Sequence, residues 1–172
     1  MNRATKYRTT TNRPNRVDHQ GRVTLHIVDI DNLIGDPTVT DPALIREARR
    51  IYEEVTGFRP EPHSRAVLGT GCNAKHAFAM QREWSFARTV RRPGENGADL
   101  ALLEAIHEEV STGRIGRIYL GTGDGLFTDS ARWLLDRGHE VTVVSRASAL
   151  SWKLRQAVHG NVLYLPDLSR GV

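Results

Sequence analysis

The chain has one cysteine, Cys72, few aromatic residues and only three lysines among its 24 basic residues. A lone cysteine excludes an internal disulfide, and no cysteine–histidine spacing suggests zinc. Cys72 follows a Gly69-Thr70-Gly71 turn with no partner marked, and reads as a buried thiol rather than a nucleophile. The seven histidines have no ligand spacing and default to surface or core. No apolar run approaches the roughly 20 residues a membrane span requires. The leader MNRATKYRTTTNRPNR is basic without a following apolar segment, so it does not read as a secretory signal. These absences make a reducing cytoplasm the expected compartment and no membrane the expectation.

What is present is charge, unevenly placed. The net charge is +4. Residues 1–22 alone carry six basic side chains against Asp18, and the remainder carries 18 basic and 19 acidic residues. The basicity therefore belongs to the leader, which could hold phosphate non-specifically in a salt-dependent way. Its polar composition predicts a disordered tail over residues 1–21, followed by one domain over residues 22–172.

That domain alternates between two periodicities. Apolar, β-branched runs at 23–28, 65–68, 86–90, 117–120, 141–145 and finally 162–165 read as strands. Between them, Asp41-Pro42 opens a helix with an N-cap and a first-position proline, and Gly57 closes it. Further helices are expected near 73–83, from Gly97 with Leu100, Leu103, Ile106 and Val110 on one face, over 128–137, and over 149–158. Alternation of this kind predicts an α/β domain, a parallel sheet of about five strands with helices on both faces. Trp84, Trp133 and Trp152 read as packing residues within it.

In such sheets ligands bind beyond the carboxyl ends of the strands. Asp29 ends the first strand, Asp124 follows the fourth within Gly121-Thr122-Gly123-Asp124-Gly125, and Asp99 lies in the first turn of the helix after the third. Chain direction sends all three to one rim. Singly, Asp99 could complement a helix dipole and Asp124 could be a turn residue. Together they repel one another and call for a cation, and an all-oxygen set suits Mg²⁺ or Mn²⁺. Arg91 and Arg92 precede Asp99 on the same rim and could steer a phosphate backbone.

Three segments resemble the NYN family of the PIN-like ribonucleases. They are His26-Ile27-Val28-Asp29-Ile30-Asp31-Asn32, then Glu95-Asn96-Gly97-Ala98-Asp99-Leu100-Ala101-Leu102, then Ile118-Tyr119-Leu120-Gly121-Thr122-Gly123-Asp124-Gly125-Leu126-Phe127 with its continuation through the strand at 141–144. The resemblance implies a PIN-like Rossmannoid fold and metal-dependent cleavage of RNA. It implies that Asp29, Asp99 and Asp124 bind the metal and are catalytic, that Asn32 orients Asp29 or substrate, and that Thr122 lies beside the scissile phosphate. Many relatives carry a further acid where this chain has Leu126. Asp31, if it shares the strand face of Asp29, or Asp129 in the following helix, would compensate.

Two other readings stand beside this one. A catalytically weakened RNA-binding module follows if Leu126 costs the metal site too much. A haloacid-dehalogenase-like phosphohydrolase would use Asp29-Ile30-Asp31 as its acid pair, Thr70 as its strand-two hydroxyl, and Gly123-Asp124 with Asp129 as its metal motif. That family also needs a lysine before the metal motif, and residues 76–152 contain none. The sequence does not define the oligomeric state or the RNA.

Overall fold

The computed structural model describes residues 22–36, 39–71 and 73–168; the leader at 1–21 and Cys72 lie outside these. Strands β1 (Val23–Asp29), β2 (Ser64–Gly69), β3 (Arg88–Val90), β4 (Ile115–Gly121), β5 (Glu140–Arg146) and β6 (Val162–Leu165) build one sheet. Its order is β3-β2-β1-β4-β5-β6, and every neighbouring pair is parallel. The α/β expectation holds, with six strands rather than about five, because β6 pairs along β5 as an edge. Expected strand 86–90 shortens to three residues, since only Arg88–Val90 finds backbone partners on β2. Among the described residues no helix is long and apolar enough to cross a membrane.

Strand parity divides the core. Leu25, Ile27, Ile118, Leu120, Val141 and Val143 point to one face, where α4 (Gly97–Ser111), α5 (Thr128–Asp136) and α6 (Trp152–Ala157) bury Leu102, Ile106, Leu134 and Leu154. Val28, Leu68, Tyr119 and Val144 point to the other, under α1 (Ile30–Ile34), α2 (Pro42–Thr56) and α3 (Ala74–Glu83). Alternate side chains leave opposite sides of a strand, so both faces of a parallel sheet must be apolar. Helix α2 starts as its sequence dictates: Asp41 caps the Ala43 N–H and Gly57 ends it at φ 69°. In α4 the stripe differs from expectation. Ala101, Leu102, Ala105 and Ile106 are buried while Leu100 is exposed, because the two alanines let the helix lie close on the sheet and turn Leu100 outward.

His26 is the unusual core residue. It points from β1 to the α2 side, 1% exposed, stacked on Tyr119 at 4.7 Å and bonded through Nδ1 to the Tyr52 hydroxyl at 3.0 Å. Burial pushes its pKa down to about 3. A folded-state value below the unfolded one means the unfolded chain takes up the proton first as pH falls. The stability advantage is present above about 6.5 and drains away toward 3, at about 1.4 kcal/mol per pH unit. Urea unfolding of wild type and His26→Phe between pH 7 and 4 should show their stability difference shifting against wild type at about that rate. A constant difference would mean His26 accepts its proton inside the fold.

Candidate functional site

The chain winds outward from β1 to β2 and β3, then returns to place β4 against the other side of β1. The connections leaving β1 and β4 therefore diverge and open a crevice at their carboxyl ends, the usual place for a ligand in an open α/β sheet. Asp29 ends β1 and is 5% exposed. It shares the parity of Leu25 and Ile27, so it faces the side of the sheet on which α4 carries Asp99. Thr122, just past the end of β4 and two residues beyond Leu120, keeps the matching parity, and its hydroxyl donates to Asp29 Oδ2 at 3.2 Å.

The remaining hydrogen bonds tie this pair to the loops. Asp29 Oδ1 caps α1 by accepting the Asn32 N–H at 3.1 Å. Asn32 Oδ1 in turn accepts the Gly123 N–H at 3.0 Å, joining the end of β1 to the loop after β4. Thr122 Oγ1 also accepts the Asp124 N–H at 3.2 Å. Asp124 Oδ1 accepts the Leu126 N–H at 2.8 Å and so caps the short 3₁₀ turn Gly125–Phe127. Asp99 stands half-buried in the first turn of α4. That turn begins at Asn96 in a left-handed conformation, φ 55°. It presses Gly97 so closely on the Arg92 carbonyl that a Cβ would come within 1.9 Å of the oxygen.

The electrostatics are one-sided. Burial first, and then the neighbouring charges of Asp99 and Asp31, raise the Asp29 pKa to about 7 against the opposing hydrogen bonds from Asn32 and Thr122. Asp99 is raised by burial first, then by Asp124 and Asp31. The side-chain charges that act most strongly on these two carboxylates among the described residues are all negative. Among the described residues no three His, Cys, Asp or Glu side chains stand together as a ready metal cage. The donors are nevertheless all hard oxygens under mutual repulsion, with a buried member, Asp29, that no cation balances among the described residues. That is the chemistry a divalent, oxygen-seeking ion relieves.

Asp31 departs from expectation. The strand ends at Asp29 and α1 begins, so Asp31 does not share the Asp29 face. Its Oδ1 instead shares a hydrogen bond with His76 Nε2 at 2.6 Å, and its Oδ2 accepts the Gly71 N–H at 3.2 Å. Burial leads the causes that raise its pKa. His76 is completely buried and was not singled out by sequence. The Val39 carbonyl accepts from its Nδ1, so a second proton lies between Nε2 and the Asp31 carboxyl. No spacing rule signals this pair, because residues 31 and 76 meet only through the fold. Arg146, at the carboxyl end of β5, was also missed; it donates to the Asn32 carbonyl at 2.9 Å. The strand-end rule that found Asp29 would have found it.

The other expected residues divide. Asp129 is exposed and pairs with Arg132 at 3.1 Å, the arrangement of a helix-surface ion pair. Arg91 and Arg92 follow β3 on the rim, where Arg92 holds Glu104 at 2.8 Å. Trp84 is buried and Trp133 partly buried, as packing residues should be. Trp152 is 65% exposed and overturns that expectation. It opens α6 next to Ser151, whose N–H donates to the Gly123 carbonyl, so the start of α6 is tied to the Asp124 loop. Leu100 and Leu126, each beside a site aspartate, are exposed as well. No protein-family model, no curated protein and no solved structure matches the chain.

Proposed function

We propose that this chain is a metal-dependent endoribonuclease whose centre is Asp29, Asp99 and Asp124. The observation that carries the reading is Asp29: a carboxylate 5% exposed, at the switch between β1 and β4, beside the negative charges of Asp99 and Asp31 and with no ion-pair partner among the described residues. Such a group is costly unless a cation completes it. The three segments resembling NYN ribonucleases support the same assignment, because their aspartates are these three. Asp29, Asp99 and Asp124 would hold Mg²⁺ or Mn²⁺, an ion that activates water and offsets the charge of a phosphoryl transition state. Thr122 and Asn32 orient Asp29 and fix the loop that carries Asp124. Arg91, Arg92 and Trp152 are the groups available to a nucleic-acid strand on the rim, by phosphate contact and base stacking respectively.

Asp31 bears on the phosphohydrolase alternative. That chemistry needs it as a free acid, and its carboxyl is instead engaged by His76 and Gly71. The test is cleavage of end-labelled single-stranded RNA with Mn²⁺, with EDTA, and by Asp124→Asn. Cleavage that requires the ion and falls at least about a hundredfold in the variant is the expected result. Binding of RNA without cleavage, equal in wild type and variant, would make the chain an RNA-binding module. Hydrolysis of small phosphomonoesters alone would favour the phosphatase.

A further inference from the structure

The opposite end of the sheet carries a second feature that the carboxylate rim does not use. Arg22 immediately precedes β1, Ile115 begins β4 and His139 immediately precedes β5, so they share the amino-terminal edge. With a rise of about 3.3 Å per residue, the length of β4 puts this edge roughly 20 Å from the aspartates. Here a cleft of about 580 Å³ opens between the ends of α4 and α5. Arg22, His107, Ser111, Trp133, Arg137 and His139 line it, and the lining contains no carboxylate.

Several observations give the cleft a chemistry. Three nearby acids are engaged elsewhere, Glu108 and Glu109 with Arg88, Glu109 also with Arg65, and Glu140 with Arg117, and Asp136 is exposed and outside the lining. Arg22 and Arg137 have no ion-pair partner among the described residues. Both bear on His139, which burial first and then these two arginines hold toward its neutral form. Helix carbonyl ends reach this edge with about half a negative charge each, less than the two guanidiniums supply. The guanidinium of Arg137 lies over the Trp133 ring at 4.1 Å, and His107 meets the ring edge at 4.4 Å. The arginine is thereby held in place by its aromatic partner and not by a carboxylate.

We infer that this cleft is a binding site for a nucleoside monophosphate, with Arg22 and Arg137 on the phosphate and the Val110–Trp133–His107 wall against the base and sugar. A free phosphate would use only the cationic half of the lining, whereas a nucleotide uses both halves. The volume is within the range of ordinary small-ligand sites. Guanidinium groups suit phosphate because their fork of donors matches its oxygens. The inference does not depend on the nuclease reading, since the two sites share no residue.

Titration of the full chain with AMP, GMP, CMP and UMP, followed by tryptophan fluorescence and calorimetry, tests it. At least one nucleotide should bind saturably and change the Trp133 signal, an effect absent in Trp133→Phe. Its nucleoside and inorganic phosphate should each bind at least about tenfold more weakly. Arg22→Gln and Arg137→Gln should each weaken the nucleotide by about tenfold. Asp29→Asn should leave its affinity unchanged, which separates this cleft from the carboxylate rim. Absence of saturable binding at millimolar nucleotide, equal affinity for inorganic phosphate, or affinity indifferent to both arginine variants would overturn the assignment.

Discussion

Asp29→Asn is expected to cut metal-dependent RNA cleavage by about a thousandfold while raising the melting temperature of the metal-free protein. The two effects have one cause. Asp29 is buried with no cationic partner among the described residues, and its pKa stands near 7 against an ordinary value of 3.8. The folded state thus holds this proton more tightly than the unfolded chain does. Stability from this group is fully present below about 4, is lost as pH rises toward 7, and stays lost above it. The cost above pH 7 is of order a few kcal/mol. Asparagine keeps the oxygen that caps Asn32 and carries no charge, so it removes that cost. In EDTA at pH 8 the variant should melt several degrees higher, and near pH 4 the two should converge. Manganese should narrow this gap, because a ligand at a hundred times its dissociation constant adds about 2.7 kcal/mol to wild type alone. Equal melting of the two proteins in EDTA, together with no response of wild type to metal, would remove Asp29 from any metal centre.

This buried carboxylate also marks how far the sequence could be read. The β–α alternation was legible because a strand buried on both faces needs a short, mostly apolar and β-branched run, as in Val141–Val144, and a helix needs one apolar stripe. The shared rim of Asp29, Asp99 and Asp124 followed from direction alone, since parallel strands all end on the same side. Three things were not legible. Whether Asp31 continued the strand depended on a turn that Asp29 itself nucleates by capping Asn32. The Asp31–His76 contact joins residues 45 positions apart, and no local pattern encodes it. The arginine cleft collects residues from three separate stretches, residue 22, residues 107–115 and residues 133–139, at the less conspicuous end of the sheet. Helical spacing placed Leu100 toward the core, but the alanines at 101 and 105 moved the buried stripe by one position.

Gly123→Ala should destabilise the fold by roughly 2–4 kcal/mol and abolish activity, while Gly125→Ala, on the other side of Asp124, should change little. A Cβ on Gly123 would stand 2.2 Å from the Ala149 carbonyl oxygen and 2.6 Å from Ser145 Oγ. The first is main chain and cannot rotate away. Gly123 is moreover fixed from both sides, its N–H to Asn32 Oδ1 at 3.0 Å and its carbonyl to the Ser151 N–H at 2.8 Å. Making room must break one of these bonds, and either break moves the loop that aims Asp124. At Gly125 the nearest atom to an added Cβ is Ser151 Oγ at 3.1 Å, a hydroxyl that can turn aside. Thermal melts should therefore show a fall of roughly 5–15 °C for Gly123→Ala and under about 2 °C for Gly125→Ala. Like losses at both positions would mean the loop is sensitive wherever it is touched. The contrast predicted here instead assigns the sensitivity to one closely packed glycine, which couples the carboxylate rim to the segment that leads into α6.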